Sequence, residues 1–135
     1  MKVWFFIKSI FILNNVFKSL YFGSFMNILI IKTGALGDVV RTTFIAQALK
    51  DKYKTQNPNI FWITNKKVIP LFINNSYIYK IIKEENKKAL TNFYFDIIIN
   101  LEESEELCKF AFSLRYKEII GFIYKDNRIQ PTSTA

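Results

Sequence analysis

The stretch "MNILIIKTGALGDVVRTT", residues 26–43, limits the fold more than any other part of the chain. Residues 27–32, "NILIIK", form a continuous apolar run rich in β-branched side chains, the pattern of a strand buried on both faces. Gly34 and Gly37 follow, then Asp38, then a helical pattern. A strand that must be covered on both sides and runs through a glycine turn into a helix is the start of a βα unit. It needs further units beside it.

The rest of the chain supplies them. From Asp38 to about Tyr53 the spacing predicts a helix, with Val40, Phe44, Ile45, Ala48 and Leu49 on one face. "NPN" (57–59) is a turn and "IFWIT" (60–64) a second strand. A short helix is expected over 66–74 and a third strand over "YIYKII" (77–82). "EENKKAL" (84–90) reads as a polar helical turn, "FDIIINL" (95–101) as a fourth strand, 103–114 as a helix and "KEIIGF" (117–122) as a fifth strand. "YKDNRIQPTSTA" shows no core pattern. Alternating units of this kind predict an α/β fold, a Rossmann-like, doubly wound, mostly parallel sheet with right-handed crossovers. With 135 residues, half of them apolar, the chain can fill the core of one such domain.

Composition removes several chemistries. The chain has no His, so the commonest general base, the usual metal ligand and the standard hydrolase triads are all absent. Its single Cys, Cys108, excludes an intrachain disulfide and sits in an apolar helical pattern, as a buried core thiol does. The net charge of +8 comes from scattered Lys rather than a dense Arg stripe. That argues against nucleic acid and suits an anionic substrate or an acidic membrane face.

Residues 1–25, "MKVWFFIKSIFILNNVFKSLYFGSF", are apolar and basic. Lys8, Asn14, Asn15 and Lys18 interrupt the unbroken run that a membrane-spanning helix needs. Lys8 also breaks the apolar stretch of a secretory signal, and no clean cleavage site follows. The polar positions do not gather on one face, as an interfacial helix would require. The preferred reading makes these residues a leader outside the fold and Met26 the natural start, because the chain from Met26 on reads as a complete domain opening. The expected organisation is then leader 1–25, Rossmann-like domain 26–125 and tail 126–135.

Ligands of such sheets bind at the carboxyl ends of the strands, so "KTGALGD" is the first loop to test. As a dinucleotide fingerprint it has Lys32 where the first glycine belongs, and Thr64 and Asn65 stand where the second strand should end in an acid. As a P-loop it has Asp38 after Gly37, where Lys is required. Both cradles fail. A carboxylate at this spot would also repel a phosphate. Gly34 is expected to take a positive φ in a tight turn, and Gly37 to let the helix start lie close to the sheet or to a ligand. On spacing alone, Asp38 reads as a helix N-cap. The other reading is a general base at the mouth of the cleft.

The same stretch resembles the amino-terminal end of glycosyltransferase family 9, the ADP-heptose:lipopolysaccharide heptosyltransferases. Members open with a short strand, then Lys-x-Gly/Ser-x-x-Gly-Asp, a few residues and Thr. "NNSYIYKII", "FDIIINLEES" and "EIIGF" resemble later segments of that family. The resemblance implies the amino-terminal, acceptor-side half of a GT-B enzyme, whose second domain holds most of the nucleotide-sugar site. It implies that Asp38 deprotonates the acceptor hydroxyl, which attacks the anomeric carbon with inversion. Thr33, Gly34 and Gly37 would shape the loop beside it. Arg41 would meet an acceptor phosphate or carboxylate, with an ion pair to Asp38 as its structural alternative. Within "EESEE" (102–106) the acids are expected to serve the start of a helix, and Glu102 alone is a candidate for the acceptor cleft.

No cofactor or metal is implied. The partners implied are a nucleotide-sugar donor such as ADP-heptose and a lipopolysaccharide-core type acceptor. The inner-membrane surface is a further candidate, with a cytoplasmic location. The length leaves no room for a second domain after Phe122, so an incomplete enzyme, inactive alone and of marginal stability or prone to association, is expected. A non-catalytic Rossmann-like module for a phosphorylated ligand is the alternative.

Overall fold

The computed structural model describes residues 25–133. The expectations for residues 1–24 lie outside the described residues. Strands β1 (Asn27–Ile31), β2 (Asn59–Thr64), β3 (Lys80–Lys83), β4 (Tyr94–Asn100), β5 (Arg115–Lys125) and β6 (Arg128–Pro131) form one sheet in the order β3-β2-β1-β4-β5-β6. The first five run parallel to their neighbours, and β6 pairs antiparallel with β5. Helices α1 (Leu36–Thr42), α2 (Phe44–Lys52) and α3 (Glu105–Ser113) make the crossovers, helped by 3-10 turns at Ile69–Phe72 and Glu84–Leu90. The expected α/β, Rossmann-like sheet is the observed one.

β1 lies near the centre and alternates between two cores, which is why its run is unbroken. Leu29 and Ile31 face one side with Phe61, Phe95, Ile98 and Leu107. Ile28 and Ile30 face the other with Val39, Ala46, Trp62 and Phe72. Cys108 is fully buried, as expected.

Four details differ from the sequence reading. The helix over 38–53 is two helices meeting at Thr43. The Thr42 hydroxyl lies 3.0 Å from Asp38 O and 2.9 Å from Val39 O, and the Thr43 hydroxyl donates to Val40 O at 2.7 Å. Hydroxyls that bond back to carbonyls of the preceding turn compete with the helical ladder and bend it. The buried face also differs. Val39 and Ala46 are fully buried and Ile45 and Leu49 partly so, whereas Val40 is 50% and Phe44 67% exposed and Ala48 is exposed as well.

The third strand starts at Lys80 rather than residue 77. The Asn75 side chain accepts from Tyr77 N at 3.0 Å and holds that stretch as a turn. Lastly, the stretch after Phe122 is not structureless. β5 continues to Lys125, the chain reverses through Asp126 (φ 54) and Asn127 (φ 58), and β6 returns. Two consecutive positive φ values are those of a type I′ hairpin turn, and Asp and Asn tolerate them.

Candidate functional site

In a sheet of this order the crevice at the carboxyl ends opens where the strand order reverses, between β1 and β4. The loop after β1 and the turn after β4 meet there. Glu102, two residues past the end of β4, brings them together. One of its carboxylate oxygens, Oε1, accepts from Thr33 N at 2.6 Å and from Gly34 N at 2.8 Å, and Lys32 Nζ lies 3.2 Å from it. The side chains of Lys32 and Glu102 are only 13% and 15% exposed. Partial burial pushes the Glu102 pKa up. The N–H donors of Gly34 and Thr33 and the Lys32 ammonium outweigh that, so the carboxyl lies below the ordinary glutamate value.

Glu102 is itself anchored from behind. Its backbone N–H donates to Asn100 Oδ1 at 3.1 Å, and its carbonyl accepts from the Cys108 thiol at 3.2 Å. Asn100 is fully buried, and its amide donates to Phe122 O at 2.8 Å. Burial pushes the Cys108 thiol pKa up, consistent with a structural rather than a reactive sulfur. Gly121 pairs with Asn100 across β4 and β5 at φ 106. A Cβ there would lie 2.0 Å from Asn100 O, so this position admits only glycine.

Asp38 stands on α1 and is exposed. It is not the N-cap. The helix starts two residues earlier because Ala35 O accepts from both Asp38 N, at 2.9 Å, and Val39 N, at 3.0 Å. Ala35 is the capping residue, and its side chain makes no cap bond. The Asp38 carboxylate is therefore a first-turn group, favoured by the helix dipole and directed to solvent. Gly34 does not take the positive φ; Ala35 does, at 25°. A Cβ on Gly37 would meet nothing within 4 Å, so this glycine leaves open space beside Asp38 and is not needed for packing on the sheet. Arg41 is exposed in the last turn of α1, and among the described residues no ion pair joins it to Asp38.

The structure thus gathers Thr33, Gly34 and Glu102 at one point and leaves Asp38 and Arg41 exposed on the adjoining helix. Within "EESEE" the helix start takes its acids as expected, whereas the Glu102 carboxylate, a candidate for the acceptor cleft, is bound to the β1 loop. Ser104 caps α3 by accepting from Leu107 N at 3.3 Å, and Glu105 and Glu106 occupy its first turn. Lys32 and Asn100 are the two participants that sequence reasoning passed over. The one available signal was a lone Asn ending an apolar strand, because a buried amide must find partners. A pocket of about 670 Å³ opens beside the edge strand β3, lined by Phe61, Lys80, Lys83, Leu90 and Phe93 among others; Asp38, Arg41 and Glu102 are not part of it. Among the described residues no three His, Cys, Asp or Glu side chains gather closely enough to hold a metal ion.

No family model and no curated protein matches the chain. Solved structures do. A glycosyl transferase family 9 structure from Veillonella parvula superposes with a TM-score of 0.62 at 20% identity, over 71% of this chain and 31% of that one. The heptosyltransferase WaaC of E. coli with ADP gives 0.57 at 16% identity, covering 71% of this chain and 35% of that one. The same enzyme with ADP-2-deoxy-2-fluoro heptose gives 0.59 at 13% identity, over 71% and 36%. The likeness establishes the fold, an α/β sheet of the kind found in GT-B glycosyltransferases. The matched region spans about a third of each solved chain.

Proposed function

We propose that this domain is the acceptor side of a family 9 type glycosyltransferase, one that moves a sugar from a nucleotide-sugar donor to a lipopolysaccharide-core type acceptor. The observation that supports it most is an exposed carboxylate, Asp38, in the first turn of the helix that follows β1, on a fold shared with WaaC. WaaC has been solved with ADP and with a fluorinated ADP-heptose, which makes ADP-heptose the first donor to consider.

In this reading the Asp38 carboxylate takes the proton of the acceptor hydroxyl as that oxygen attacks the anomeric carbon. The bond to the nucleoside diphosphate breaks on the opposite face, and the configuration inverts. A positioned base of this kind contributes about 10²- to 10⁴-fold to the rate. The space beside Gly37 receives the acceptor sugar. Arg41, one turn on, has no acidic partner among the described residues and is available to an acceptor phosphate or carboxylate. The net charge of +8 favours an anionic glycolipid and an acidic membrane face, consistent with a cytoplasmic domain working at the inner membrane. No helix among the described residues is long and apolar enough to cross a membrane.

The alternative, a binding module for a phosphorylated ligand, is disfavoured by the same loop. Its Thr33 and Gly34 N–H groups, the ones a phosphate would use, already serve Glu102. The test is a titration of ¹⁵N-labelled protein with a lipopolysaccharide-core oligosaccharide. Shifts over residues 34–41 are expected. Shifts confined to the β3 pocket, or none, would overturn the reading. D38N is expected to bind the oligosaccharide like wild type, while lowering transfer by about 10²-fold or more in any transfer-competent form of the protein.

A further inference from the structure

The crevice of this sheet contains an anion that belongs to the protein itself. In phosphate-binding βα folds, the amides after the first strand and a nearby cation hold a ligand oxygen. Here the Thr33 and Gly34 N–H groups and the Lys32 ammonium converge on one oxygen of Glu102. The contact joins two segments 68 residues apart in the chain, so it fixes the β1 loop to the end of β4. The next residue after Gly34 is Ala35, held at a φ of 25° that an L residue rarely adopts. The Ala35 carbonyl in turn receives the first two N–H groups of the helical ladder, those of Asp38 and Val39. The path from Glu102 to Asp38 is therefore short and made of hydrogen bonds and one strained residue.

We propose that Glu102 is a positioning residue for Asp38: as a built-in anion it fills the Lys32–Thr33–Gly34 cradle and sets the backbone from which the helix bearing Asp38 starts. The catalytic part of this assignment rests on Asp38 being the base proposed above. The mechanical part does not. Glu102 itself takes no proton from substrate and contacts no sugar; its side chain is spent on the loop. Besides Lys32, the titratable groups next to it are Glu103 on its own turn and the Cys108 thiol of α3, with Asp38 and Arg41 on the helix it steers.

The experiment uses the 135-residue protein, labelled with ¹⁵N, and reads the amide signals of Thr33, Gly34, Asp38 and Val39. In E102A all four signals are expected to move, and amide exchange at Asp38 and Val39 to speed up by about ten-fold or more. Sodium formate, added to refill the cradle, is expected to return all four toward their wild-type positions, which a generally loosened fold would not do. E102A signals at Asp38 and Val39 that stay in place while Thr33 and Gly34 move would overturn the proposal, as would failure of formate to restore them. If E102A does not fold, the D38N protein is titrated with acid instead, so that residue 38 no longer titrates. The amides at 38 and 39 should then follow the same midpoint as Thr33 and Gly34, and a flat response at 38 and 39 would refute the linkage. These readouts need no sugar. A protein that passes them but fails the oligosaccharide titration would retain the positioning role and lose the transferase reading.

Discussion

A carboxylate moved out of water normally becomes harder to ionise, and Glu102 shows how that is reversed. Two backbone donors and an ammonium supply more than burial removes, so its folded pKa lies below the ordinary value of 4.5. The sign of the pH effect follows. With the folded pKa depressed, the stabilisation is fully present above the unfolded value and disappears as pH falls through the folded one. Wild type should therefore lose stability more steeply than E102Q as pH is lowered from 6 to 3; parallel melting profiles would contradict the clamp. At pH 7, E102A leaves two amides and a largely buried ammonium unpaired, at an expected cost of about 1–3 kcal/mol in urea unfolding.

The strain at Ala35 gives an independent check. Glycine adopts φ 25 without a Cβ penalty, so A35G should stabilise the fold by about 1 kcal/mol once the freer unfolded chain is subtracted, read as a higher melting temperature. A lower melting point would show that the residue is relaxed. Neither feature was legible beforehand. The sequence places glycines at 34 and 37 and invites a positive φ at Gly34, but the φ of a single turn residue depends on where Glu102 pulls the loop. The role of Asp38 as a first-turn group instead of a cap likewise depends on the Ala35 carbonyl, which no side-chain pattern reveals.

At the scale of elements, what periodicity reads well is a strand covered on both faces. "NILIIK" and "FDIIINL" became β1 and β4 because each apolar side chain along them meets one of two cores. Periodicity reads a helix less well when apolar residues also line its outer side. Val40 and Phe44 lie four residues apart and read as part of the core face, yet they are 50% and 67% exposed. The neighbouring Val39 is the buried one. V39A is thus expected to cost about 2 kcal/mol and V40A less than about 0.5 kcal/mol by chemical denaturation. Equal costs would put the helix in a different rotation. The β4–β5 pair carries a second element-scale expectation. In G121A the new methyl group would lie against Asn100 O, so the strands must part next to the amide that anchors Glu102. A loss of about 3 kcal/mol or more is expected, with the Thr33 and Gly34 amide signals disturbed as well. A variant as stable as wild type would mean that the two strands are not in this register. The β5–β6 hairpin escaped the sequence reading because its turn is Asp-Asn rather than the stronger Asn-Gly or Asp-Gly signal, and because β6 buries none of its residues.

At the scale of the whole molecule, strand order decides where a ligand can go, and side chains decide which ligand. The order reverses between β1 and β4, so the crevice is where a doubly wound sheet would place a nucleotide. Yet the features that hold a diphosphate are missing there. The first-loop amides are occupied by Glu102, Lys32 is neutralised by it, and Asp38 adds a second carboxylate, this one exposed, nearby in sequence. A dianionic diphosphate brought to this crevice would displace one carboxylate and face another, and like charges at close range cost several kcal/mol in a poorly solvated site. The domain should therefore favour a neutral hydroxyl-bearing sugar at Asp38, with any anionic group of the ligand reaching out toward Arg41. The 135-residue protein is accordingly expected to bind ADP-heptose with a Kd above about 1 mM, a free energy weaker than about −4 kcal/mol, in calorimetry at physiological salt. Micromolar binding would place the donor site on this domain and make Asp38 a poor choice of acceptor base. The same titration with E102A separates the two contributions. If Glu102 is what excludes the diphosphate, affinity for ADP-heptose rises in the variant; if it stays unmeasurably weak, the remaining carboxylate and the open geometry suffice to exclude it.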